Sequence, residues 1–203
     1  MIKKSEGIIL RVTPFSESDA IITIYSKNYG KKSFIIKGGL SKKSKKRVFI
    51  KEGYWIEFVF YEKSTREIQK LTDIHLVQYF FNIMNKPLGF CLLLTMIEIF
   101  REVIYEEEVP DIELYNFLIQ SIQALEKNEN MLDIWLNFHE ELLAFVGYGK
   151  EVQESFQYYS SNTTSFIKQA YSIYNKFAKN IEGFKIPKSF EVLKQMYNIN
   201  AGY

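Results

Sequence analysis

Five short runs rich in β-branched and aromatic residues fill the first 72 positions of the chain, and no helical pattern separates most of them. Residues 6–12 (EGIILRV) read as a strand stopped by Thr13 and Pro14, and residues 20–25 (AIITIY) as a second. Asn28, Tyr29 and Gly30 turn the chain back into a third strand over 32–37, paired as a hairpin. Residues 54–61 (YWIEFVFY) give a fourth, and residues 67–72 a fifth after a turn at 63–66. So many short strands in so little chain must close on themselves or stack as a sandwich. The five-stranded OB-fold is the natural candidate, because it closes its sheet and presents strands two and three to oligonucleotides.

Near residue 77 the period changes from two to the helical 3.6. Apolar residues recur at helical spacing over 88–105, then over 111–126 behind a capping Asp111, and over 130–147 between Asn130 and Gly147. Residues 148–163 break the pattern, and two further helices are expected over 164–180 and 187–196, the last opened by Pro187. The expected fold is therefore α+β, with a barrel domain over residues 1–78 that binds nucleic acid and a helical domain over 79–203.

The formal net charge of +2 conceals an asymmetry. Residues 1–52 carry 13 Lys and Arg against four acids, Glu6, Glu17, Asp19 and Glu52, a net of +9; the remainder carries 13 basic against 20 acidic residues. A front half of that sign faces a polyanion, with nucleic acid the first candidate and an anionic membrane the second. The charge concentrates in residues 31–47, KKSFIIKGGLSKKSKKR, where five of the six residues at 42–47 are basic and no acid intervenes. Lysines there read phosphate charge, not base identity, so binding should depend steeply on salt and weakly on sequence. The residues expected to meet phosphates are Arg11, Lys27, Lys31, Lys32, Lys37, Lys42, Lys43, Lys45, Lys46 and Arg47. Tyr25, Tyr29 and Phe34 are candidate stacking faces for unpaired bases, each equally able to fill the core.

Other chemistries find little support. The single Cys91 lies in an apolar run and reads as a buried thiol. His75 and His139 lack the partners of a metal set: the HEE at 139–141 has Leu at 143, where a zinc-binding helix carries its second His. There is no nucleophile elbow, phosphate-cradling glycine loop or dinucleotide fingerprint, so no enzyme, cofactor or metal is expected. The longest uncharged stretch, residues 87–97, has 11 residues against the ~20 needed to span a bilayer. A reduced, soluble, cytoplasmic setting is the expectation.

Residues 6–39, EGIILRVTPFSESDAIITIYSKNYGKKSFIIKGG, resemble the opening of the RecO family of DNA repair proteins. The match consists of a strand, a PxxExD turn (Pro14, Glu17, Asp19), a strand ending near YG, and a basic strand closing on a small-residue turn with a Lys-rich continuation. Residues 181–195, IEGFKIPKSFEVLKQ, are similar to the family's closing helix signature. The resemblance implies a recombination mediator that binds single- and double-stranded DNA and anneals complementary strands. It also implies two protein partners, RecR and the acidic tail of single-strand-binding protein, and loading of RecA onto coated DNA. Lys168, Lys176, Lys179, Lys185 and Lys188 are the cations of the helical half available to that tail. Many members carry a four-cysteine zinc module where this chain has 148–163 without cysteine, so no zinc is carried over and Phe156, Tyr158 and Tyr159 are expected to pack in its place. An OB-fold RNA-binding or translation-associated protein, and a scaffold whose basic loop docks on an acidic protein, are the alternatives.

Overall fold

The computed structural model describes residues 1–63, 65–66, 68–105, 110–127, 130–148 and 163–196. Five strands, β1 (Ile2–Pro14), β2 (Ala20–Ser26), β3 (Gly30–Ile36), β4 (Trp55–Tyr61) and β5 (Gln69–Gln78), close into a barrel in the order β1-β2-β3-β5-β4. Alternation decides what goes inside: in β4, Ile56, Phe58 and Phe60 are buried while Trp55, Glu57 and Val59 face outward. Glu57 in mid-strand is therefore on the outer face, where it meets the Lys4 ammonium at 2.8 Å. Phe34 from β3 stands edge-on to Phe58 and Phe60, each at 5.1 Å between ring centres, so three aromatic rings fill the middle of the barrel. Truncating any one of them costs about 3–5 kcal/mol.

Closure depends on β1, which is long enough to serve two neighbours. Its first half pairs with β4, from Ile2 opposite Tyr61 to Ile8 opposite Trp55, and its second half pairs with β2, from Gly7 opposite Ser26 to Pro14 opposite Ala20. A register shift between Ile9 and Arg11 lets the strand bend from one neighbour to the other. Gly7 lies where both ladders meet, and a Cβ there would come within 2.5 Å of the Tyr25 carbonyl oxygen. The last seam is a short parallel pair, Phe34 with Gln69 and Ile35 with Lys70. Five strands closed in this order are the expected OB-type barrel.

Strand lengths differ from the sequence reading. β1 begins at Ile2 and β5 runs on to Gln78, because Asp73 and His75 project outward while Leu71 and Ile74 point in, which keeps a charged stretch compatible with a strand. A 3₁₀ turn at Lys45–Phe49 and a short helix α1 (Phe81–Asn85) were not foreseen. The remaining helices are α2 (Pro87–Val103), α3 (Ile112–Lys127), α4 (Met131–Leu143), α5 (Thr163–Asn180) and α6 (Lys188–Met196). Asp111 caps α3 by accepting the Leu114 N–H at 2.9 Å. Asn130 precedes α4 without a side-chain cap bond, and a π turn at Ala144–Tyr148 reaches Gly147, whose φ of 93° only glycine adopts readily.

The chain divides into two compact units, Met1–Phe80 with Tyr105–Ile119, and Phe81–Ile104 with Gln120–Tyr203. In the first, the start of α3 lies against the barrel: Tyr25 donates to the Asp111 carbonyl oxygen at 3.4 Å, and the Trp55 indole donates to the Tyr115 hydroxyl at 3.2 Å. In the second, the core is built on Trp135, His139, Tyr174, Phe177 and Phe190, all fully buried or nearly so. No helix among the described residues is long and apolar enough to cross a membrane. The glutamates at 106–108 and Phe156, Tyr158 and Tyr159 lie outside the described residues.

Candidate nucleic-acid interface

The β2–β3 hairpin organises the basic residues by register. Across its outer face, Tyr25 is opposite Lys31, Thr23 opposite Ser33, and Ile21 opposite Ile35. β1 extends the two latter rows with Arg11 beside Thr23 and Thr13 beside Ile21. The face between the ends is thus uncharged except for Arg11, with the Thr23 and Ser33 hydroxyls bonded at 3.2 Å. Lys27, Tyr29, Lys31 and Lys32 cluster at the hairpin turn, whereas Lys37 and the 42–47 run lie at the other end. Seven residues of β3 set roughly 20 Å between the two groups. The expected cations therefore form two clusters, one at each end of the hairpin, with Arg11 between them on the outer face, and Lys32, opposite the buried Ile24, lies on the other side of β3 from Lys31.

Most of them are exposed, among them Arg11, Lys27, Lys32, Lys37, Lys42, Lys43, Lys45 and Arg47. Lys27 pairs with Glu6 at 3.7 Å, and Lys32 lies 6.0 Å above the Tyr29 ring centre. Lys31 is half-buried. Lys46 differs from its neighbours: its ammonium donates to the Thr72 carbonyl oxygen on β5, so it anchors the loop rather than presenting a free charge. Phe49 continues the seam against His75, ring centres 6.2 Å apart. Nearby, the His75 ring lies 3.0 Å from Asp73, and that hydrogen bond, aided by the Ile74 N–H and the charges of His75 and Lys46, holds the Asp73 carboxyl below its usual range.

Two of the three aromatic candidates are corrected by burial. Tyr25 is 2% exposed and Phe34 0%, one packed under the start of α3 and the other inside the barrel, so neither offers a ring face to a base. A strand in a closed barrel has one face inside, and the other can be covered in turn by a further element, which alternation along the strand does not report. Tyr29 is half-buried, standing edge-on to Phe60 at 5.1 Å. An exposed aromatic that the strand patterns passed over is Phe15, 62% exposed in the β1–β2 turn; Tyr61, at the end of β4, is 44% exposed. The signal for Phe15 was a large apolar residue in a stretch, PFSESD, that otherwise reads as a turn.

That turn and the start of the basic loop are locked together. Asp19 accepts the Gly38 N–H at 2.8 Å and the Ser18 hydroxyl at 3.2 Å, while the Leu40 N–H donates to the Ser18 carbonyl oxygen at 2.8 Å. Within the turn, the Phe15 and Ser16 N–H groups donate to the Asp19 carbonyl oxygen, and Ser16 Oγ accepts from the Ser18 and Asp19 N–H groups. The basic run thus starts from the β1–β2 turn and is tied to β5 at Lys46, with Lys42, Lys43 and Lys45 exposed between the two anchors and Arg47 exposed just beyond.

Residues 1–80, the whole barrel, match the family model described as recombination protein O N terminal. The barrel is thus similar to the N-terminal part of RecO proteins. The chain is 28% identical over 155 residues to the DNA repair protein RecO of Prosthecochloris aestuarii, an alignment covering 76% of this chain and 58% of the relative. To the DNA repair protein RecO of Acetivibrio thermocellus it is 29% identical over 146 residues, 71% of this chain and 57% of that one. The RecO of Chloroherpeton thalassium gives 24% over 156 residues, 76% and 60%. The chain thus aligns with less than two thirds of the length of these RecO relatives.

In the helical unit the five cations named for a partner tail are spread. Lys168 and Lys179 lie exposed about three turns apart along α5, Lys176 is half-buried, and Lys185 and Lys188 are exposed around the start of α6. Lys194, passed over in the sequence, is 8% exposed, paired with Glu191 at 2.7 Å and held 5.7 and 5.9 Å from the Phe190 and Tyr171 ring centres. His139 belongs to the core. Its Nδ1–H donates to the Trp135 carbonyl oxygen at 2.7 Å, and Nε2 is 3.2 Å from the Tyr174 hydroxyl, which donates to it in that tautomer. Burial depresses its pKa to about 3. Cys91 is buried, its thiol donating to the Ser189 carbonyl oxygen at 3.3 Å and pushed up by desolvation and by Glu98.

Proposed function

We propose that this chain is a DNA-binding recombination mediator in DNA repair, which holds single- and double-stranded DNA on the basic side of its barrel and anneals complementary strands. The observation that carries this reading is the 42–47 loop, whose cations Lys42, Lys43 and Lys45 are exposed on a segment fixed at both ends, with Arg47 exposed just past the second anchor. Cations so placed neutralise phosphates on two strands, lowering the repulsion that keeps the strands apart. Pre-ordering of the loop limits the conformational entropy lost on binding.

The barrel domain over 1–78 carries the DNA, with Arg11, Lys37 and the loop as the principal contacts and Lys27, Lys31 and Lys32 as a second cluster at the hairpin turn. The helical domain over 79–203 carries the protein partners: Lys168, Lys176, Lys179, Lys185 and Lys188 receive the acidic tail of single-strand-binding protein, and RecR joins the complex that loads a RecA-type recombinase. The reading places the protein in the cytoplasm on the nucleoid, acting without catalysis of its own. Annealing of complementary oligonucleotides, bare and coated with the cognate single-strand-binding protein, tests it. Acceleration in both cases is expected, and no acceleration on bare strands overturns the reading.

A further inference from the structure

A mediator that pairs strands must hold bases unpaired and accessible before they meet, and cations alone do not do this. Burial of Tyr25 and Phe34 removes two of the rings that sequence offers for the task. Phe15 is a large aromatic left open at the start of the basic loop, more exposed than Tyr61 at the end of β4, and its placement is set by the register. Pro14, Ala20 and Ile36 form one row across β1, β2 and β3, so Phe15 and Lys37 each stand one residue beyond it, at the same end of the barrel. Two strand spacings separate them, about 10 Å.

An exposed phenylalanine on a loose loop would mean little, since single apolar residues are common on protein surfaces. Phe15 is not on a loose loop. Its own N–H donates to the Asp19 carbonyl oxygen at 2.9 Å, and the Asp19 carboxylate is bonded to the Gly38 N–H that opens the basic segment. The ring and the cations are therefore parts of one braced surface. A ring held in the open at 62% exposure carries an unfavourable hydration that stacking against a base relieves. A flat ring next to phosphate-binding cations matches the chemistry of an unpaired nucleobase, which offers a π-face whatever its identity.

We infer that Phe15 is the base-stacking residue of the DNA-binding face, taking one unpaired base while Lys37 and the 42–47 cations hold the flanking phosphates. The inference rests on the proposed DNA binding and adds to it the discrimination of unpaired from paired strands. Glu17 is exposed on the same turn, and its negative charge opposes phosphates.

The test compares oligothymidylate with an abasic strand of equal length and charge, for the wild type and for Phe15→Ala, Phe15→Leu and Phe15→Tyr, each checked for folding by circular dichroism. The wild type should prefer the base-bearing strand by about 5- to 100-fold, the size of one base–aromatic stack. Phe15→Ala and Phe15→Leu should both lose that preference and Phe15→Tyr should retain it. Equal preference in the wild type and Phe15→Ala overturns the inference. Retention by Phe15→Leu overturns it as well, since that result assigns a plain apolar contact. Binding of neither strand by the wild type overturns the proposed function itself, which separates the two failures.

Discussion

Asp19 accepts the backbone N–H of Gly38 at 2.8 Å, tying the β1–β2 turn to the start of the basic loop. The carboxylate replaces a ladder bond that the sheet cannot supply where β3 ends. Asp19→Ala should therefore lower stability by about 1–3 kcal/mol, the cost of leaving a partly buried donor unmet. Asp19→Asn, which keeps an acceptor of the same shape, should lose less. Urea denaturation of the three proteins checks the order.

Gly38 has a φ of +65°, and an added Cβ there would meet nothing within 4 Å. The cost of a side chain is then conformational alone, about 1–2 kcal/mol for Ala. Asn, which tolerates the left-handed region, should fall between Gly and Ala. Thermal melts of Gly38→Ala and Gly38→Asn measure this, and an Ala variant as stable as the wild type would contradict it.

Tyr25 was a candidate for stacking and is now a core residue. Tyr25→Phe should cost about 0.5–1.5 kcal/mol through loss of the bond to the Asp111 carbonyl oxygen, and should leave oligonucleotide affinity at the wild-type level. A fall in affinity at unchanged stability would return the ring to the binding face. Fluorescence anisotropy with a labelled strand, beside a denaturation curve, decides between the two.

His139 predicts an acid limit for the helical unit. Its folded pKa is depressed to about 3 from 6.5, with desolvation the main cause, so between those values the unfolded chain binds a proton that the folded one refuses. Its contribution to stability is complete above pH 6.5 and is lost as pH falls, at about 1.4 kcal/mol per pH unit. His139→Gln should be less stable at pH 7 but should show a shallower decline from pH 6.5 to 4.5. Parallel declines in the two proteins would contradict the assignment.

The barrel was legible because strands announce themselves through β-branched runs and glycine turns, and the change of period at residue 77 falls within β5, close to its end at Gln78. Glu57 shows what the pattern carries: a charge between aromatic residues can only belong to the outer face. Which faces are then covered was not legible. Tyr25 is buried because the chain returns 86 residues later to lay Asp111 on it, and no local pattern encodes that return. Lys46 looked like its neighbours because sequence reports its charge and not the Thr72 carbonyl oxygen that its ammonium meets. Phe15 was overlooked for the opposite reason, as a hydrophobic residue in a turn that reads as solvent-facing.

The most direct test of the account is the salt dependence of single-stranded DNA binding. If the protein contacts four to six phosphates, log affinity falls against log salt concentration with a slope of about −3 to −4, at roughly 0.7 per contact. Replacing Lys42, Lys43, Lys45 and Arg47 together by Ala should flatten that slope by about 2 to 3, whereas Lys46→Ala, which removes the anchor on β5, should lower stability instead. A slope in the fourfold variant equal to that of the wild type would remove the loop from the interface and contradict the account.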